Sequence, residues 1–231
     1  MTTTSNTNQV LFGNPLEHSE SPRNQKAWDL LPNSQKIEQT SEALRSNGFK
    51  VDLVANGKEA LEKIRSLIPE GASVMTGSST TLDQIGFVSL LKSGTQRWVN
   101  LKEKVFLEKD PEKRMELGRR ATLADYFLGS VQAVTVSGQL VVGSGTGSQI
   151  AAYAFEAKNV IFVVGTHKIT LDLNEALRRL REYCVPLEDG RMKRLGFPGT
   201  VLSKIFIYEK EPHPATLFNA YVILVNEQLG F

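Results

Sequence analysis

The sequence predicts an α/β protein of three layers with a mostly parallel, mixed central sheet, and three observations carry that prediction. From Asn33 to Thr76 the hydrophobic pattern changes period in the order helix, strand, helix, strand, the rhythm of a parallel sheet. VIFVVGT, residues 160–166, is apolar on both faces, as a strand in the middle of such a sheet must be. Two loops rich in glycine and hydroxyl groups, one opening at Gly77 and one at Gly143, each follow an apolar run and precede a helix-like stretch.

Taken in order, residues 1–24 are polar, Ser/Thr/Asn-rich and aperiodic, which reads as a flexible tail ahead of one domain over 25–231. A helix is expected from Asn33, with Ile37, Thr40 and Leu44 on one face and a stop at Gly48. FKVDLVA alternates as a strand, and Asn56 with Glu59 forms a capping-box-like start to a second amphipathic helix. ASVMT follows as a short buried strand, and RWVNL further on reads as another short one. Asp110-Pro111 opens a helix that should turn Met115, Ala121 and Leu123 or Ala124 inward.

FLGSVQAVTV reads as one strand, joined to QLVV by a tight turn at Ser137-Gly138. An apolar helix carrying Ile150, Ala151, Ala154 and Phe155 comes next, then the central strand. Asp172 and Glu175 cap a helix with Leu173, Ala176, Leu177 and Leu180 inward. The basic cluster between Arg178 and Arg194 reads as a solvated helix face. KIFIYEK and AYVILVN close the chain as an antiparallel edge pair.

Composition bounds the function. With 231 residues, 41% apolar and 23% charged, the chain has the make-up of an ordinary globular protein. A net charge of +2 is too small for the footprint of a nucleic-acid binder. The single Cys184 excludes an internal disulfide and any cysteine-based zinc or iron–sulfur site. With three histidines, one of them in the tail, a His-rich metal site is not expected. No apolar run approaches the ~18 residues of a membrane span, and MTTTSNTNQ lacks the basic head and apolar middle of a signal peptide. A cytoplasmic protein is the expectation.

The chemistry concentrates at the strand ends. Gly77, Ser78, Ser79, Thr80 and Thr81 place a glycine and four hydroxyls between a buried strand and a helix, a setting for a phosphate or carboxylate that a plain helix cap also explains. Gly145, Thr146, Gly147 and Ser148 form the second loop. Its amides would point at a ligand ahead of the helix, although its spacing is not that of a dinucleotide fingerprint, and no Walker A motif occurs. Ligands in open α/β sheets bind beyond the carboxyl ends of the strands, which adds Lys168 as an anion-neutralising group and His167 as a base or a surface histidine. Asp125, at a helix-to-strand junction, reads as a turn residue or as a catalytic acid.

FGNPLEHSESP, residues 12–22, resembles the opening of shikimate dehydrogenases for about a dozen residues, but no NADP-type glycine loop follows. A broader likeness covers residues 33–231. GASVMTGSSTTLDQIGF, ATLADYFLGSVQAVTVSGQL, GTGSQIAAYAF, VIFVVGTHKI and the closing YVILVNEQLGF, in that order, resemble the lactate-utilization (LUD) domain family. The resemblance implies a fold related to ribose-phosphate isomerases, glucosamine-phosphate deaminases and CoA-transferases. It also implies a part in L-lactate oxidation to pyruvate beside iron–sulfur partner proteins. The family's glycine–hydroxyl motif maps to Gly77, Ser78, Thr80, Thr81 and Leu82, its second loop to Gly145, Thr146 and Gly147, and its strand-end lysine to Lys168.

Two departures stand out. Ser148 and Gln149 replace the Asn-Arg pair frequent in the shorter relatives, so a cationic ligand contact is missing there. RMKRLGFPGTVLSKIF also has none of the cysteines of a cluster site. The cofactor is unknown, since no flavin, nicotinamide or cluster motif is present. A homo-oligomer is left open. Three functions stand as expectations: an accessory, non-redox subunit binding a small anionic metabolite or phosphorylated cofactor; a stand-alone isomerase or acyl/CoA-transfer enzyme, with Asp125, Asp83 or Glu103 as carboxylate and Lys168 as electrophile; or a non-catalytic assembly protein that docks through its basic cluster.

Overall fold

In the computed structural model, residues 28–211 and 217–231 are described. The expected tail, the FGNPLEHSESP segment, His18 and His213 lie outside them. Local signals set the first elements. Asn33 caps helix α1 (Ser34–Ser46) through its side chain, which accepts from the Lys36 N–H, and Ile37, Thr40 and Leu44 are buried. Asn56 caps α2 (Gly57–Leu67) in the same way, accepting from Glu59, whose carboxylate returns to the Ala55 N–H. Strands β1 (Lys50–Val54) and β2 (Ser73–Thr76) alternate with these helices. Short helices α3 (Thr80–Gln84) and α4 (Phe87–Ser93), strand β3 (Val99–Asn100) and helices α5 (Leu101–Leu107) and α6 (Pro111–Arg120) follow.

Beyond them come β4 (Tyr126–Gly129), β5 (Ala133–Thr135), β6 (Leu140–Ser144) and β7 (Asn159–Gly165). The chain ends through β8 (Ile169–Thr170), α7 (Leu173–Arg178), α8 (Val185–Arg194), β9 (Lys204–Tyr208) and β10 (Asn219–Val225). Six strands form the central sheet in the order β1-β10-β7-β4-β2-β3, every pair parallel. The mixed character sits in a second, four-stranded sheet, β8-β5-β6-β9.

β7 shows why its sequence is apolar throughout. Val160, Phe162 and Val164 face the second sheet and α1, while Ile161 and Val163 face α2, α3 and α4. The outer face of the small sheet, through Ala133 and Val141, packs on Ala176, Leu180 and Tyr183. Helices, central sheet and a layer built on the small sheet make up the three-layer α/β architecture.

Four readings of the sequence change here. FLGSVQAVTV is not one strand: β4 pairs within the central sheet, the chain breaks over residues 130–132, and β5 joins the small sheet. The two C-terminal strands do not pair with each other. β9 runs antiparallel to β6, whereas β10 lies parallel between β1 and β7. Met115 and Phe155 are exposed, because α6 buries none of its side chains and the turn after Ile150 buries Ala152 and Tyr153 instead. Arg179, assigned to a solvated face, is wholly buried. The hairpin at Ser137-Gly138 forms as expected. Gly138 takes φ 84°, and a Cβ there would press on the end of α1, 2.7 Å from Asn47.

Candidate functional site

All six central strands point the same way, so their carboxyl ends gather at one edge of the sheet. A cavity of about 480 Å³ opens there, in the range of small-molecule sites. Both glycine-containing loops reach it. Gly77, Ser78, Ser79, Thr80 and Thr81 line one wall, and Gly145, Thr146 and Ser148 another, with Lys168 at the floor. The loops approach closely, since even an added Cβ on Gly77 would come within 3.8 Å of that of Gln149. Gly147 is the member of the expected set that does not reach the cavity surface. Its φ of 83° and its fit against the Lys204 stem give that glycine a structural reason.

The second loop is not a free cradle of amides. The Gly143 N–H donates to Gln132 Oε1 (2.9 Å) and the Gly147 N–H to Ser144 Oγ (2.8 Å). Gly145 is needed for close approach, because a Cβ there would stand 3.0 Å from the Val201 carbonyl. In the first loop Ser79 acts as a cap, accepting from the Leu82 N–H. Lys102 donates to the Gly77 carbonyl (2.9 Å) and holds the turn in place.

Lys168 stands on the turn after β7 and is 1% exposed. Its Nζ donates to Thr81 Oγ1 and to Ser130 Oγ, both at 3.1 Å. The Thr81 hydroxyl donates in turn to the Leu229 carbonyl (3.2 Å). Desolvation, with Arg179 nearby, pulls the ammonium pKa down to about 7. A buried lysine held by hydroxyls and accompanied by a second cation favours an anion beside it.

Several contributors escaped the sequence reading. Ser130 arrives through the break between β4 and β5. Arg179 starts a wide π-type turn, Arg179–Cys184, that runs up to Pro186. Its Nη1 donates to the Gln132 carbonyl and to Cys184 Sγ, and its guanidinium lies 5.0 Å from the Tyr183 ring centre. Its Nε and Nη2 are buried without a partner among the described residues. Burial lowers the Arg179 pKa and raises that of Cys184. Arg191 bonds Glu188 (2.6 and 2.7 Å) and reaches Ser78 Oγ at 3.1 Å, putting a cation at the cavity from a different element than the missing Asn-Arg position.

His167 is buried, not a surface histidine. Desolvation, then Lys168 and Arg179, push its pKa down to about 3. The Glu227 backbone favours the cation weakly, but at no geometry that makes a hydrogen bond to either ring nitrogen. A neutral imidazole of this kind accepts no proton near pH 7.

Asp125 is not brought to the cavity. It precedes β4 and so sits at the amino end of the parallel strands, about 16 Å of extended chain away from Ser130. There it accepts from Lys158 Nζ (2.7 Å), the Ser73 N–H (3.0 Å) and Ser73 Oγ (2.6 Å). The Lys158 and Ser73 hydrogen bonds hold its pKa at about 2. These bonds tie β2, β4 and β7 together where they begin. Asp125→Ala is expected to cost about 1–2 kcal/mol of stability, from the unpaired Ser73 N–H, and to leave ligand affinity unchanged. Urea unfolding beside a binding titration checks both. A large affinity loss in the folded variant would return Asp125 to the site.

Among the described residues, no group of three or more His, Cys, Asp or Glu side chains is placed to hold a metal, and no helix is long and apolar enough to cross a membrane. Compared with known proteins, residues 37–195 match the family model of the LUD domain. A crystal structure of a DUF162 family protein from Deinococcus radiodurans superposes with a TM-score of 0.51 at 12% identity, over 85% of this chain and 100% of that one. At that identity the likeness speaks for the fold alone. A structure of eIF2B beta from Chaetomium thermophilum aligns at a TM-score of 0.32 and 18% identity, over 51% of this chain and 44% of that one, too little to carry an argument. No match is found among curated proteins.

Proposed function

Because the chain belongs to the LUD domain family, we propose that its cavity binds a small anionic metabolite or the phosphate of a cofactor, and that the protein serves L-lactate oxidation to pyruvate as an accessory, non-redox component. The observation that carries the binding half is Lys168, buried at the cavity floor against two hydroxyls and near the partly unpartnered Arg179. Arg179 does not itself line the cavity, so an arriving carboxylate or phosphate would meet Lys168 directly and feel Arg179 only as a nearby positive charge. The pathway half, with iron–sulfur proteins as partners that would carry the electrons, rests on the family alone. The stand-alone enzyme loses support because none of Asp125, Asp83 and Glu103 lines the cavity. The carboxylate that does line the cavity, Glu188, is engaged by Arg191.

The test is thermal denaturation with lactate, pyruvate, sugar phosphates, nucleotides and CoA esters. A ligand at ~100 times its dissociation constant stabilises by about 2.7 kcal/mol, a rise of roughly 5–10 °C for a chain of this size. Lys168→Met should abolish the rise. Because an anion favours the ammonium form, affinity should fall as the pH climbs above about 7, the value to which burial lowers Lys168. A panel without a hit on folded protein, or a hit indifferent to Lys168→Met, would sink the proposal.

A further inference from the structure

The cavity is charged at its floor and apolar at its mouth. Past α8 the chain runs without regular structure from Leu195 to Ser203 along the rim. Glycines with positive φ, Gly196 at 85° and Gly199 at 125°, shape this segment. It is pinned by the Thr200 N–H to Asp189 Oδ1 (2.9 Å) and by the Ser203 N–H to the Ser144 carbonyl (3.1 Å). Val201 is held where its carbonyl meets Gly145. So fastened, the segment leaves Leu195, Phe197 and Val201 at the mouth with 59%, 54% and 71% of their surface exposed. Leu180 and Val185 continue the apolar surface inward.

Size sharpens the point. The volume of about 480 Å³ lies within the range of drug-sized ligand sites. A three-carbon acid fills only a small part of such a volume. Large apolar side chains kept half in water around a cationic floor fit a ligand that is anionic at one end and apolar at the other.

Resting on the anion-binding reading above, we propose that the site takes an anion carrying an unbranched aliphatic chain, with the carboxylate or phosphate on Lys168 and Ser130 and the chain under Leu195, Phe197 and Val201. Carboxylate and phosphate share the head-group chemistry, and the test separates them.

Calorimetric titration of the intact chain with linear carboxylates from acetate to octanoate, and with the matching alkyl phosphates, is the experiment. Burial of each methylene should tighten binding about three- to fourfold, and the tighter series names the head group. Phe197→Ser combined with Val201→Ser, both exposed positions that the fold tolerates, should flatten the dependence on chain length. Lys168→Met should weaken every member alike. A flat series that still needs Lys168 overturns the chain site and leaves the anion site standing. A rising series indifferent to the Phe197 and Val201 changes overturns it as well. Absence of binding by both series at millimolar concentration overturns it too, while the metabolite panel decides the anion site separately.

Discussion

Lys168→Met is expected to make the unliganded protein more stable at pH 7, by about 2–4 kcal/mol, while removing its ligand response. The ammonium is 1% exposed and its pKa falls from 10.5 to about 7, through desolvation first and then Arg179. Each tenfold loss of proton affinity corresponds to ~1.4 kcal/mol of preference for the neutral form. Below pH 7 the folded chain therefore carries the full cost of burying a cation. Methionine fills a similar volume without the charge. Part of the gain is lost because Thr81 and Ser130 give up a donor, which sets the lower end of the range. At 2–4 °C per kcal/mol for a chain of this length, the midpoint should rise by roughly 5–15 °C.

The pH dependence gives a second reading of the same site. Between pH 7 and 10.5 the unfolded chain holds a proton on Lys168 that the folded chain has released. Wild-type stability then rises with pH relative to the variant, by up to ~1.4 kcal/mol for each tenfold fall in proton concentration, and the gap between the two closes toward pH 10. Paired melting curves from pH 6 to 10 measure it. A variant less stable than wild type at pH 7, with a gap independent of pH, would mean that the cation is already neutralised in the fold. The anion site would then lose its main support.

The second large effect is expected at Gly129. This residue ends β4 in an ordinary strand conformation, so glycine is not required there for its backbone freedom. It is required for space: a Cβ would sit 1.7 Å from Tyr153 Oη and 2.8 Å from Cζ. The tyrosine cannot step aside easily, because its buried ring stands 5.4 Å from Phe127 and 4.8 Å from Phe162 between centroids. Gly129→Ala should cost about 3 kcal/mol. Tyr153→Phe alone should change stability by less than about 1 kcal/mol, and in the double variant it should recover about half the loss, since the worst overlap is with the hydroxyl. A cycle of urea unfolding curves reads this coupling. Additive losses would show that something other than the Tyr153 hydroxyl demands the glycine. Ser130 comes directly after Gly129, so a displaced β4 should also weaken ligand binding through Lys168.

These two sites differ in how far they can be read from residues alone. The position of Lys168 was legible because a strand apolar on both faces must lie inside a parallel sheet, and the residues just past its carboxyl end face the edge where the cavity opens. The hydroxyls at Ser78–Thr81 were legible for the same reason. For Asp125 the turn-residue alternative fits the fold, since a helix-to-strand junction marks a strand's amino end and parallel strands put that end on the far side of the sheet from the cavity. The grip of Ser130 and Thr81 on Lys168 crosses 38 and 87 positions, and that of Arg191 on Ser78 crosses 113. No local pattern encodes such pairs. The demand for glycine at Gly129 is equally invisible, because nothing near it in the chain points to Tyr153.

Local signals thus determined the elements themselves. Asn33, Asn56, Asp110 and Asp172 each cap the helix they announce, because a side-chain oxygen a few atoms from an open N–H needs no help from the rest of the fold. Alternation and apolar runs likewise identified β1, β2 and β7. Only the tertiary structure decided how the remaining strands divide between two sheets. FLGSVQAVTV offers the same β-forming character on both sides of its break, and β9 and β10 offer it equally to each other and to distant partners. The choice falls to which neighbours bury each face, a long-range packing energy that brings Ser130, Lys168 and the rim of Phe197 and Val201 around one cavity.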